Sequence, residues 1–175
     1  MLLKNLSNRL LRNFKRGSTD DILYPDRMLH RINRELLETD FGKHLTMFVG
    51  ILENDTNKLT YSVGAHFPMP VLVTEERAEY LEGSGMPIGL FETPTFRVYE
   101  RILPKKFDLW LFSDGILEVI KAKNLAEKEQ QLLSLVEQSK RNIEVLADTL
   151  QLNKMNELPD DIAILTVSGV VDQDG

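Results

Sequence analysis

Phe107-Asp108-Leu109-Trp110-Leu111-Phe112-Ser113-Asp114-Gly115 reads as a strand from a protein interior that ends in a carboxylate and a glycine. Aromatic and aliphatic residues in a run this short suit a buried strand. Such a strand delivers the Asp114 carboxylate, a hard oxygen ligand, to its rim, and Gly115 lets the chain turn sharply away. A second segment mirrors it. Pro159-Asp160-Asp161 stands directly before Ile162-Ala163-Ile164-Leu165-Thr166-Val167, which reads as the closing strand. If the two strands are neighbours, their carboxylates make half of a cluster suited to Mg²⁺ or Mn²⁺, ions that prefer carboxylate and water oxygens. Ser-Asp-Gly and Pro-Asp-Asp are also common turn sequences for backbone reasons, so the residues alone leave a ligand reading and a turn reading open.

Upstream, His44-Leu45-Thr46-Met47-Phe48-Val49-Gly50-Ile51-Leu52 is a nearly continuous apolar run, as expected of a strand buried on both faces. The turn cluster Asn54-Asp55-Thr56-Asn57 leads into Leu59-Thr60-Tyr61-Ser62-Val63, which predicts a hairpin. Shorter strands are expected at Val71–Val73, Phe96–Tyr99 and Leu109–Phe112. Two helices open the chain. In the first, Leu2, Leu3, Leu6, Leu10, Leu11 and Phe14 recur at helical spacing with basic residues on the other faces, and Gly17-Ser18-Thr19 ends it. The second begins after Pro25 with Asp26 in its first turn, and carries a stripe of Tyr24, Met28, Ile32 and Leu36 widened by Leu29 and Leu37. Residues 125–152 read as two further helices. Helices, then a meander of strands, then helices and a closing strand define an α+β layered fold.

The chain has 175 residues, 42% hydrophobic and 27% charged, the balance of one ordinary globular domain rather than a disordered segment. Its net charge of -6 disfavours bulk nucleic-acid binding. With no cysteine it has no disulfide scaffold, thiolate metal site or cysteine nucleophile. No apolar run approaches the ~18–20 residues of a membrane span. The basic first helix reads as core or partner packing before membrane or nucleic-acid contact, since the total charge is acidic.

Other candidates are weaker. His66, in Gly64-Ala65-His66-Phe67-Pro68, could bind an anion, serve as a general acid or brace a loop. Gly83-Ser84-Gly85-Met86-Pro87-Ile88-Gly89 lacks the lysine and following helix of a phosphate-binding P-loop. Ser113 is not in a G-x-S-x-G elbow, so serine-hydrolase chemistry is not indicated.

In this order, the strand at Thr46–Leu52, the stretch Tyr61–Pro68, Gly85-Met86-Pro87-Ile88-Gly89, Leu109–Glu118 with its Ser-Asp-Gly, and Asp160–Leu165 resemble the SpoIIE/RsbU-type branch of the metal-dependent serine/threonine phosphatases, the protein phosphatase 2C superfamily. The resemblance covers nearly the whole chain and implies an α-β-β-α sandwich of mostly antiparallel strands. It implies two Mn²⁺ or Mg²⁺ ions held by aspartates, with a bridging water as nucleophile. Asp114 would ligate one metal, Asp160 would be a second ligand and Asp161 its neighbour or substitute, while Gly115 and His66 would have loop or substrate roles. It further implies a cytoplasmic bacterial regulator, often under a receiver or sensor domain in stress-response signalling. Its partner would be a phosphorylated anti-sigma-factor antagonist, with no nucleic acid or membrane involved and a homodimer allowed.

Two departures qualify this. The family usually shows Ala-Gly-His-Asn where this chain has Gly64-Ala65-His66-Phe67. The family's Gly-Asp strand motif and Asp-Val-Ser-Gly-His-Gly-like loop, which supply the bridging aspartate and a backbone carbonyl, do not occur here. The expectation is therefore that residues 1–171 form the C-terminal portion of a phosphatase domain lacking N-terminal strands and part of its metal site, with residues 172–175 a frayed tail. The alternative is a catalytically inactive phosphatase-like binding module in a partner-switching pathway.

Overall fold

The structure is a computed structural model that describes residues 2–39, 42–155 and 157–170. The side chains of Leu2, Leu3, Leu6 and Leu10 and the tail at 172–175 lie outside the described residues. The chain divides into two compact units, one of Met1–His66 with Gly83–Ile102 and one of Phe67–Glu82 with Leu103–Gly175.

The first unit opens with α1 (Leu2–Lys15). Its end is set by Gly17 at φ +66. The Gly17 amide donates to the Phe14 carbonyl and the Ser18 amide to that of Asn13, the paired bonds of a left-handed helix stop that glycine adopts without a Cβ clash. A 3₁₀ turn at Asp21–Leu23 leads into α2 (Pro25–Glu38), where Pro25 occupies the first turn, since its missing N–H would have had no helical partner. Leu29, Ile32 and Leu36 of α2 are buried with Ile88 and Phe96. Tyr24 is exposed instead, its ring lying under the Arg27 guanidinium. Leu11 and Phe14 of α1 are each 40% exposed, so the described part of the α1 stripe is not core.

The predicted hairpin forms: β1 (Met47–Glu53) pairs antiparallel with β2 (Lys58–Gly64), from Met47↔Gly64 to Glu53↔Lys58. β5 (Tyr99–Ile102) lies on the other side of β2, giving the order β1-β2-β5. This corrects two expectations. Among the described residues β1 is an edge strand with half-buried and exposed side chains, not one buried on both faces, and the central β2 is the more buried strand. Phe96 and Arg97 precede the ladder. Phe96 bridges Gly85, and the Arg97 carbonyl accepts the Ser62 hydroxyl at 2.8 Å. The glycine-rich Gly85–Gly89 stretch is packed, not phosphate-cradling: Ile88 is buried, and Asn33, itself buried, accepts the Gly89 amide at 2.7 Å and donates to the Phe91 carbonyl at 2.9 Å.

The second unit holds a sheet of order β4-β3-β6-β7, all antiparallel, formed by β3 (Val71–Val73), β4 (Ala78–Tyr80), β6 (Lys106–Phe112) and β7 (Ile164–Val170). Sequence reading missed β4, whose three residues carry too little alternation to register. Helices α3 (Gly115–Glu118), α4 (Leu125–Gln138) and α5 (Ile143–Thr149) follow β6. Val71, Val73, Trp110 and Phe112 of the sheet are buried in one cluster with Ile116, Leu117, Ile120, Leu132, Val136 and Leu146 of the helical segment. α4 starts with a reciprocal cap: Asn124 accepts the Glu127 amide and Glu127 accepts the Lys123 amide. It is tied to β4 by the Tyr80 hydroxyl, which donates to the Glu129 carbonyl at 2.8 Å, and by Glu137, which accepts the Ala78 amide at 3.1 Å. Burial, aided by the Glu129 carboxylate, raises the Tyr80 phenol above its ordinary pKa. Each unit thus joins an open antiparallel sheet to helices, the α+β class. Among the described residues no helix is long and apolar enough to cross a membrane.

Candidate functional site

The condition set by the sequence is met: β6 and β7 are direct neighbours, and their ladder ends at Phe112↔Ile164. One step beyond that pair, the end of β6 meets the entrance of β7, so Ser113-Asp114-Gly115 lies against Asp160-Asp161. Ser113 makes the join. Its amide donates to the Ala163 carbonyl at 3.0 Å. Its hydroxyl donates to the Asp161 carbonyl at 2.9 Å and accepts the Ala163 amide at 2.8 Å. Because that amide bonds a side chain and not a backbone carbonyl, β7 starts at Ile164 rather than at the expected Ile162.

Asp114, Asp160 and Asp161 are all exposed. Asp114 precedes α3 yet does not cap it with its side chain, which leaves its carboxylate for another use. Asp160 accepts the Asp161 amide at 2.7 Å, a local bond that fixes the orientation of one oxygen. At Gly115 the constraint is space. Its φ is not in the left-handed region; what matters is room. A Cβ there would stand 2.5 Å from the Asp161 carbonyl oxygen and 3.2 Å from the Asp160 Cβ. Glycine therefore lets the two carboxylate-bearing segments close on each other.

His66 belongs to the first unit, partly buried, with its ring 6.3 Å from that of Phe48. Ala65 before it sits at φ +51, a conformation that disfavours a side chain. Sequence reasoning missed Asp108. Buried within β6, it accepts the Ser168 hydroxyl of β7 and pairs with the Arg141 guanidinium at 3.0 Å, which fastens the α4–α5 connection to the sheet. A lone acid inside an apolar strand was the signal, since a charge there needs a partner. Ser113 acts as a strut between the two segments, a role its sequence context does not signal.

The donor set tests the implied metal. Exposed carboxylates at a rim, with a glycine where a Cβ would force the segments apart, fit part of the shell of a hard divalent ion. In number they fall short, as no group of three His, Asp or Glu side chains that could hold an ion converges among the described residues. Asp114 and Asp160 are the residues that would contribute to it.

The family model described as Stage II sporulation protein E (SpoIIE) matches residues 2–169. The chain belongs to the SpoIIE family. It is 23% identical over 154 residues to the phosphoserine phosphatase RsbU of Bacillus subtilis (strain 168), a match covering 83% of this chain and 45% of RsbU. Among solved structures, the RsbU and RsbW domains of Rv1364c from Mycobacterium tuberculosis align with a TM-score of 0.71 at 25% identity, covering 95% of this chain and 46% of that one. The Mn-presoaked phosphatase domain of SpoIIE from Bacillus subtilis aligns at 0.62 and 15% identity, covering 99% and 75%, and that likeness is one of fold. This SpoIIE-family chain therefore has the protein phosphatase 2C fold of a SpoIIE/RsbU-type domain, and it spans just under half the length of RsbU.

Proposed function

We propose that this chain serves a serine/threonine protein phosphatase whose substrate is a phosphorylated anti-sigma-factor antagonist or similar regulatory protein, acting in the cytoplasm in stress-response signalling. The observation that carries the reading is the packing of Ser113 and Gly115, on either side of Asp114, against Asp160-Asp161 at the ends of neighbouring strands. Asp114 and Asp160 are the metal-binding carboxylates, with Asp161 beside them. A Mn²⁺ or Mg²⁺ ion bound there would polarise the phosphoryl oxygens and lower the pKa of a bound water. The chain's own residues explain why a cation is needed. Exposed carboxylates at the strand ends repel a phosphate ester, so a bound cation would be needed to draw one there. Ser113 and Gly115 hold the carboxylates together, and His66, packed on Phe48, braces its own loop.

The test is phosphate release from a phosphoserine peptide, with and without Mn²⁺, by the unmodified protein and by Asp160→Ala. Release that requires Mn²⁺ and falls about 100-fold or more in the variant supports the reading. Release that is indifferent to both the ion and the substitution contradicts it.

A further inference from the structure

Beyond Phe112↔Ile164 the β6–β7 ladder stops, and the chain on each side is free to diverge. It does not, because Ser113 satisfies three polar groups of one short segment: the carbonyls of Asp161 and Ala163 and the amide of Ala163. Those bonds fall one residue from Asp114 on the first segment and one residue from Asp160 on the second. Only a side chain that both donates and accepts can make the two hydroxyl bonds at once, and serine is the smallest that does. Asp161 and Ala163 are themselves exposed, so water can replace the lost bonds when the hydroxyl is removed. The fold therefore depends little on the hydroxyl. The approach of the two segments depends on it more, since the hydroxyl makes two of the three hydrogen bonds by which Ser113 joins them, beside the packing of Ile162 on the core.

From this we infer that Ser113 is a positioning residue that sets the spacing of Asp114 and Asp160 for a divalent cation. The inference rests on the proposed function, in which those carboxylates bind the ion. It gives the Ser-Asp-Gly sequence a use for its serine that is neither nucleophile nor turn former.

The experiment is a Mn²⁺ titration of the isotope-labelled 175-residue chain, following paramagnetic broadening of the Asp114 and Asp160 amide resonances. It is run on the unmodified chain, Ser113→Ala and Ser113→Thr. In the unmodified chain both resonances broaden over one Mn²⁺ range. Ser113→Ala raises the midpoint about tenfold or more, the scale on which groups behind metal ligands act. Ser113→Thr, which keeps the hydroxyl, restores the midpoint. Circular dichroism checks that each variant is folded, and Ser113→Cys, close in size but a poor hydrogen-bonding group, replaces the alanine variant if that one is not. A Ser113→Ala midpoint equal to that of the unmodified chain overturns the positioning role and leaves the proposed function standing. An unmodified chain whose two resonances ignore Mn²⁺ overturns the proposed function, and the positioning role with it.

Discussion

Replacing Gly115 with alanine sets two effects against each other. Gly115 opens α3, and alanine is the better helix former by up to about 1 kcal/mol, part of it from a stiffer unfolded chain. The φ of Gly115 is not in the left-handed region, so the backbone itself accepts the change. Contact opposes it. The new methyl would lie 2.5 Å from the Asp161 carbonyl oxygen, 3.1 Å from its carbon and 3.2 Å from the Asp160 Cβ. Since C···O contacts normally begin near ~3.3 Å, the two segments must separate by about 0.8 Å. The obstacle is backbone held by Ser113, not the end of a flexible side chain. Forced packing of this kind costs about 1–3 kcal/mol, which outweighs the helix gain. The expected net loss is about 1–2 kcal/mol. In urea, with a slope of about 2 kcal/mol/M for a domain of this size, the midpoint falls by about 0.5–1 M. A midpoint that stays level or rises would refute the close approach of these segments, and with it the geometry of the carboxylate rim.

Three other perturbations test separate parts of the account. Ala65→Gly relieves the left-handed conformation of Ala65, worth about 1–2 kcal/mol, but adds about 0.5–1 kcal/mol of unfolded-state entropy. The thermal midpoint should rise by a few degrees, and a fall would mean that the side chain is not strained. Arg141→Ala strips the buried Asp108 of its ion pair and should cost about 2–4 kcal/mol in chemical unfolding. It should cost clearly less in an Asp108→Asn background, and equal costs would show that the pairing is not the source. In the first unit Glu35 is held below its ordinary pKa of 4.5 chiefly by its hydrogen bond to Arg9, with Arg31 adding to the effect. The stability this pairing contributes is therefore present above about pH 4.5 and is lost as pH falls through the lower folded value. An Arg9→Gln variant should show a shallower acid limb between pH 5 and about pH 2, and an unchanged limb would remove Arg9 as the cause.

Much of this architecture is legible in the residues because burial leaves a periodic trace. The α2 stripe gave Leu29, Ile32 and Leu36 directly, and Asn54–Asn57 marked the β1–β2 turn. The apolar run at Met47–Leu52 misled for a physical reason: composition reports how apolar a strand is, not where it lies in its sheet, and among the described residues β1 lies at an edge. Phe96 read as strand because it is aromatic and buried, yet its burial comes from α2 and Ile88 and not from a ladder. The carboxylates of the site were legible as strand-end residues. Their approach was not, because it depends on the β6–β7 pairing, a relation between positions some fifty residues apart. Ser113 and Asp108 were hidden for the same cause. Each matters through partners that only the fold supplies, Ala163 and Asp161 for one, Arg141 and Ser168 for the other.

In the proposed function Asp114 and the β7 entrance form part of a cation-dependent phosphatase site. Its most direct test is Mn²⁺-dependent phosphate release from a phosphoserine peptide by the protein with and without Asp114→Ala, each variant first shown to be folded. Release should depend on Mn²⁺ and drop about 100-fold or more in the variant. Equal release by both forms at every Mn²⁺ concentration would contradict it.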